Sequence, residues 1–384
     1  MERPETGGRA GRLTVMVDDG VERRRHRVAA LFVEFGDEMP ADRLPLYRAL
    51  CHGTAADPEL VALMDGTPEA QLRPNLLLAA VHHLLLGGLD HPLAAWYGTV
   101  VAEPRPPDDG DPVAAWRDLC LGHRDALAPL LATRATQTNE VGRCTATMPA
   151  LAGIAAAGRP IGLVEVGASA GLNLLLDRWG YHYEPGGDVA PPGGSDLTLT
   201  ARSVGPEPVP VPAALPPIIS RIGLDLSPVD VTDEDQARWL VACLWPEQPN
   251  RVAQLRTALA VARRAPPEVV AGDAVDDLAP LVRAVPPGAV PAVVTTWAAA
   301  YLTDDRQRDL VAALDGLGAE RDLSYVFAER PVEVPGLPIP PRPDGTEHPA
   351  GPTALVRLDW REGRRHATRL ADLHPHGRWL AWVA

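Results

Sequence analysis

The chain has 384 residues, 46% of them hydrophobic, enough to fill a large core, so it reads as a globular protein of two ordinary domains or one enlarged one. A formal charge of -14 argues against a protein that wraps nucleic acid or lies on an anionic membrane, because both need a basic face. All 36 residues counted as Lys+Arg are arginines, which excludes Schiff-base chemistry, a pyridoxal-phosphate anchor and a P-loop lysine.

In chain order, residues 1–20 are rich in Gly and Arg and read as a mobile tail without the apolar stretch of a secretory signal. No run approaches the roughly 18 apolar residues a membrane helix needs, and the expected location is cytoplasmic. Residues 21–158 show apolar positions at spacings of three and four in VAALFVEF, LLLAAVHHLLL, PVAAWRDLCLGHRDALAPLLAT and CTATMPALAGIAAA, which predicts an all-α cap domain. The four cysteines, Cys51, Cys120, Cys144 and Cys243, form no CxxC pair and read as buried thiols. His82, His83 and His91 read as core or cap histidines, and Trp239 and Trp245 as packing residues.

From residue 159 the pattern changes. IGLVEV at 161–166 predicts a strand, followed by a Gly-rich turn and a helix over LNLLLDRW. ISRIGLDL, EVVAGDA, AVVTTW and LSYVFAE predict further strands, with helices over DEDQARWLVACLW, NRVAQLRTALAVARR and DDRQRDLVAALDGL between them. Such alternation implies parallel strands with crossover helices, hence a Rossmann-like, doubly wound α/β sheet over 159–384. TALVRLDW and RWLAWVA are expected to close it as antiparallel edge strands. The span at about 180–217 reads as an insertion, part loop and part strand around DLTLTARSV, and a second loop covers 331–352.

Gly167 and Gly171 bracket the turn in VEVGASAGLNL. Glycines let a backbone approach a ligand, and the following helix N-terminus offers N–H groups to an anion. Glu165, Gly167, Ala168, Ser169 and Gly171 are therefore candidate cofactor contacts. Asp225 at the end of RIGLDL is a candidate acceptor for ribose hydroxyls, Asp273 with Ala274 for an adenine, and Thr296 and Trp297 line the expected transfer site. Asn139 and Arg143 in TQTNEVGR are candidates to hold a substrate carboxylate, projected over the pocket by the helical domain, with Tyr301 beside them. Weak candidates for a catalytic base are Tyr301, His182 and Glu140. His374 and His376 make only a weak zinc signal, and no metal is expected.

TQTNEVGR, VEVGASAGLNLLLDRW, RIGLDLSPVDVTDEDQARWLVACLWPEQ and VVAGDA together resemble a bacterial family known as a domain of unknown function, and the resemblance covers nearly the whole chain after about residue 25. Through the acid and glycines of the first turn and the acid at 225 it is also similar to class I S-adenosylmethionine-dependent methyltransferases. That resemblance implies S-adenosylmethionine as cofactor, held by Glu165, Gly167, Gly171 and Asp225, and a small-molecule methyl acceptor. One departure is plain: about 20 residues usually separate turn and ribose acid, whereas 60 separate Glu165 from Asp225. The match requires the intervening insertion to lie outside the sheet.

Two alternatives come from other classes. Gly167-Ala168-Ser169-Ala170-Gly171 also spells the G-x-S-x-G of a nucleophile elbow, with Asp304 or Asp322 and one of His348, His374 or His376 to complete a triad. Against it, only helices are expected upstream, and no HGGG-like loop precedes the turn. A non-catalytic binding protein that keeps the fold is the third reading.

Overall fold

The computed structural model describes residues 9–205, 207–342, 345 and 353–384. Residues 1–8 of the expected tail, and His348, lie outside the described residues, and from Arg9 the chain is helical. It divides into two compact units: Met1–Thr138 with Arg238–Ala253, and Asn139–Ala237 with Gln254–Ala384.

The first unit is built from α1 (Arg9–Glu38), α2 (Pro45–Ala56), α3 (Pro58–Ala62), α4 (Pro74–Leu86), α5 (Pro112–Gly122) and α6 (Arg124–Thr133). Phe32, Leu50, Leu77, Trp116 and Leu127 share one core with Trp239, so the segment 238–253 returns to this unit. Prolines at the first turn start four of these helices, where the missing N–H costs nothing. The carboxylate of Glu247 accepts the Leu46 and Tyr47 N–H groups at 2.7 and 3.1 Å and closes the first turn of α2. His82 is a satisfied core residue: its ring nitrogens lie 3.0 Å from Ala242 O and 2.7 Å from Thr99 Oγ1. No described helix is long and apolar enough to cross a membrane.

The second unit opens with α7 (Cys144–Ala155), which the helical periodicity had grouped with the preceding helices; it packs instead on the sheet of this unit. The strands are β1 (Ile161–Val166), β2 (Gly180–Glu184), β3 (Gly187–Val189), β4 (Thr198–Ser203), β5 (Ile218–Asp225), β6 (Val269–Ala271), β7 (Val290–Thr296), β8 (Leu323–Glu329), β9 (Thr353–Arg361), β10 (Arg364–Leu373) and β11 (Trp379–Trp382). Between them come α8 (Glu234–Ala242), α9 (Pro249–Arg264), α10 (Leu278–Ala284) and α11 (Asp304–Glu320). The described strands form one mixed, mostly parallel sheet in the order β3-β2-β4-β11-β10-β9-β8-β7-β1-β5-β6. β1, β7 and β8 are buried on both faces and read as continuous apolar runs for that reason.

The strands expected at β1, β5, β6, β7, β8, β9 and β11 are present. Three expectations are corrected. The stretch after the Gly-rich turn is not an α-helix but a 3₁₀ segment, Leu172–Arg178, broken at Leu175. The insertion does not lie outside the sheet, as the match at Asp225 had required: β2 and β4 extend its far side through the parallel pairing of β4 with β11, and β5 is nonetheless the direct neighbour of β1. The C-terminal strands do not close an edge either, because a β9–β10 hairpin precedes β11 and the sheet continues past it.

Candidate functional site

After an excursion through β2, β3 and β4 at the far side of the sheet, the chain adds β5 and β6 on one side of β1, then returns to add β7 and β8 on the other. β1 is thus a topological switch point, and ligands in open α/β sheets bind outside the carboxyl ends of the strands at such a point. The loops after β1, β5, β6, β7, β8 and β10 all emerge at this edge.

The turn after β1 is held from several directions. Gly167 N–H donates to Leu224 O at 2.8 Å, and Ser169 N–H donates to Asp225 Oδ2 at 2.7 Å. Asp225 Oδ1 takes the Ser227 N–H at 2.8 Å, so each oxygen of this half-buried carboxylate is used once and keeps a second lone pair. Asn139 Oδ1 accepts the Leu172 N–H at 2.9 Å, capping the 3₁₀ segment. Gly167 has φ +75, and a Cβ there would lie 2.4 Å from Ala298 Cβ; this glycine is required by the protein's own packing. Ala168 packs against Gly223, and Gly171 against Pro267. Ser169 and Trp297 adopt φ of 53 and 57, unusual for non-glycine residues and typical of functional edges.

Glu165 lies on the face of β1 opposite Val164 and Val166, whose side chains join the apolar cluster beneath α10 and α11. It is 2% exposed; Oε1 accepts from Asn173 Nδ2 at 3.0 Å, and Oε2 is buried without a partner. Burial pushes its carboxyl up to about 8, with the Asn173 bond opposing, the Asp225 charge adding to the rise and Arg143 opposing it. The Arg143 guanidinium donates to Thr296 O at 2.7 Å and Pro375 O at 3.2 Å and lies over the Trp297 ring at 5.9 Å. Much of the donor fork expected to hold a substrate carboxylate therefore binds main-chain carbonyls across the strand ends.

On the other side of β1, Glu329 ends β8 fully buried. Its Oε1 takes the Ala298 and Ala299 N–H groups, both at 3.0 Å, and Oε2 has no partner. Burial raises this carboxyl to about 7 against those N–H bonds and Arg143. Glu329 shares its face with Tyr325 and Phe327, the face opposite Glu165. The sequence reading missed Glu329 although it ends an apolar strand run as Glu165 nearly does; the same rule applied to LSYVFAE would have found it.

Glu140 is buried and its Oε2 sits 3.4 Å from His376 Nδ1, on the loop after β10. The two backbones meet closely here: a Cβ on Gly377 would stand 1.9 Å from Gly142 O, and Thr145 Oγ1 bonds both Gly142 O and Gly377 O. TQTNEVGR from Asn139 onward is thus part of the sheet unit. Asp273, just beyond β6, spends Oδ1 on the Val275 and Asp276 N–H groups and on Arg306; burial works against these, and they hold the carboxyl below its usual range. Ala274 packs on the apolar cluster. Thr296 is buried, and Tyr301 reaches the same edge with 73% of its surface exposed. A pocket of about 220 Å³ opens beside Ala170, lined by Pro228, Val229, Asp230, Val231, Pro267 and Val269.

Two candidates are not brought to this edge. His182 is on β2, seven strands from β1 in the sheet order and roughly 30 Å away at the usual strand spacing, where it bonds Asp188 at 2.6 Å. Asp322 precedes β8 at the opposite edge and accepts from Glu362 N–H. Among the described residues no group of three His, Cys, Asp or Glu is placed to hold a metal ion.

The two buried acids make a stability prediction. Both carboxyls titrate above the ordinary 4.5 in the folded protein, so the native state binds protons more tightly than the unfolded chain. Their contribution is complete below about pH 4.5 and is lost as pH rises through about 7 and 8, on the order of a few kcal/mol in total. The urea midpoint of the ligand-free protein is expected to fall between about pH 5 and 8, and Glu165→Gln to flatten that fall. A midpoint rising over this range would contradict the burial of the acids.

The chain belongs to the family described as an uncharacterized protein conserved in bacteria, DUF2332, whose model matches residues 29–382. No curated protein and no solved structure matches it.

Proposed function

Taking the chain as a member of that family, we propose that the carboxyl edge around β1 binds S-adenosylmethionine and that the protein is a methyltransferase acting on a small molecule. The observation that carries this reading is the reversal at β1. It places β1 and β5 side by side and brings Glu165 and Asp225, distant in sequence, to one face of one edge, close enough for the charge of Asp225 to act on Glu165. The residues present fit such a cofactor in chemical type. Glu165 has a buried oxygen without a partner, Asp225 keeps lone pairs for ribose hydroxyls, and a pocket beside Ala170, lined by Asp230 as well as by prolines and valines, adjoins the turn. The fit does not rest on Gly167, whose space is taken by Ala298.

When bound, the cofactor supplies an electrophilic methyl on a sulfonium. The chain's own part is alignment and exclusion of water. Asp225 fixes the turn through Ser169 and Ser227, Asn139 fixes the start of the 3₁₀ segment, and Arg143 ties the ends of β7 and β10 together.

Isothermal titration with S-adenosylhomocysteine is expected to give micromolar binding, about -8 kcal/mol, and Asp225→Ala to weaken it at least about tenfold. No heat at about millimolar ligand would sink the cofactor reading. The left-handed backbone of Ser169 favours one second reading, an acyl hydrolase, since a nucleophile elbow holds its serine in a strained turn. Labelling of Ser169 by a fluorophosphonate would select it; a cofactor-binding protein that ignores the probe would exclude it.

A further inference from the structure

Buried polar atoms in native folds nearly always have partners, and one left bare at a functional edge calls for an explanation in chemistry. Glu165 Oε2 is such an atom. The charged and titratable groups around it are Arg143 and Cys144 at the start of α7 and Asp225 at the end of β5; Asn173 holds the other oxygen. Glu140, with His376 beside it, lies further out and acts on Cys144. The nearest formal charges, Arg143 and Asp225, cancel. A carboxylate added to them in a dry site leaves one uncompensated negative charge, and such a charge is removed either by a proton or by a cation.

We infer that Glu165 exchanges its proton for one positive charge on the ligand, so that the site holds a cationic sulfonium in preference to its neutral thioether product. The inference rests on the cofactor reading above and deepens it. With no ligand the acid is kept neutral on Oε2. When a cation enters, the proton leaves to solvent and the oxygen faces the new charge. Once the methyl has gone, the ligand left behind is neutral, the carboxylate is again uncompensated, and it takes a proton back, which loosens the product. The raised carboxyl of Glu165 agrees with this, since a group ionised at all pH values has no proton to give. Glu329 is also buried and raised, but it lies on the opposite face of the sheet and its Oε1 anchors Ala298 and Ala299, which makes it the internal control.

The experiment is calorimetric titration of the full chain with S-adenosylmethionine and, separately, S-adenosylhomocysteine. Each is run in two buffers of different ionisation enthalpy and at several pH values between about 5.5 and 8.5. The sulfonium ligand is expected to release close to one proton more than the thioether near neutral pH. Its affinity is expected to rise about tenfold per pH unit below the titration of Glu165, while that of the thioether stays nearly flat. Glu165→Gln, which keeps the acceptor for Asn173, is expected to remove the difference, and Glu329→Gln to retain it. Equal proton counts and parallel pH profiles for the two ligands would overturn the exchange and leave the cofactor site standing. A difference that survives Glu165→Gln would overturn the assignment to Glu165. If neither ligand binds the wild-type protein, the cofactor reading fails, and the inference that rests on it fails with it.

Discussion

Asp372→Ala is expected to cost about 3–5 kcal/mol of folding stability. Asp372 is fully buried near the end of β10, and its carboxylate accepts from Arg369 Nε and Nη2 at 3.0 and 2.7 Å and from Arg342 Nη1. The two arginine side chains are themselves only about a tenth exposed. Removing the acid takes from two little-exposed guanidinium groups the buried carboxylate they share, which costs far more than an exposed ion pair is worth. Chemical denaturation measures the loss, and a value under about 1 kcal/mol would mean that water reaches the cluster. The consequence extends to the site, because Asp372 lies just ahead of the loop whose Pro375 carbonyl binds Arg143.

Gly377→Ala is expected to cost about 2–5 kcal/mol. Its φ of +70 is a left-handed conformation that charges a side chain roughly 1–2 kcal/mol. The new Cβ would also press on Gly142 O at 1.9 Å and Thr145 Oγ1 at 2.6 Å, an overpacking that costs a further 1–3 kcal/mol or so. Backbone cannot swing away as a long side chain can, so the loop after β10 must lift off the turn that carries Arg143. Gly363→Ala separates the two contributions: its φ is +73, but nothing lies within 4 Å of its Cβ. Thermal or urea unfolding of both variants is the check. Equal losses would show that the close approach at Gly377 is relaxed in solution.

Much of the candidate site was legible because its elements announce themselves locally. β1, β7 and β8 are apolar runs buried on both faces, and the residues after them carry the acids, glycines and strained positions that mark a strand end. Asn139 and Arg143 were named as a polar stretch held over a pocket, and the structure gives them other work: Asn139 caps Leu172, and Arg143 binds carbonyls at the ends of β7 and β10. Asp273 was read as open to a ligand and is drawn back onto its own turn and Arg306. His182 was named as a weak candidate for a base and Asp225 as a candidate acceptor for ribose hydroxyls. Only strand order separates them, placing one seven strands from β1 and the other beside it.

By itself the sequence determined the change from helical to alternating pattern near residue 159, the identity of most parallel strands and the acids at the ends of β1 and β5. Hydrophobic periodicity and turn composition depend on neighbours a few residues apart, so they survive in a single chain. The tertiary structure alone decided what depends on distant partners. It joined β2 and β4 to the far side of the sheet, returned 238–253 to the helical unit and replaced the expected helix after the turn with a 3₁₀ segment capped by Asn139. It also decided which carboxylates keep a partner in the dry interior and which, like Glu165 and Glu329, keep one oxygen bare. Burial and charge compensation are properties of the packed arrangement, and no local pattern encodes them.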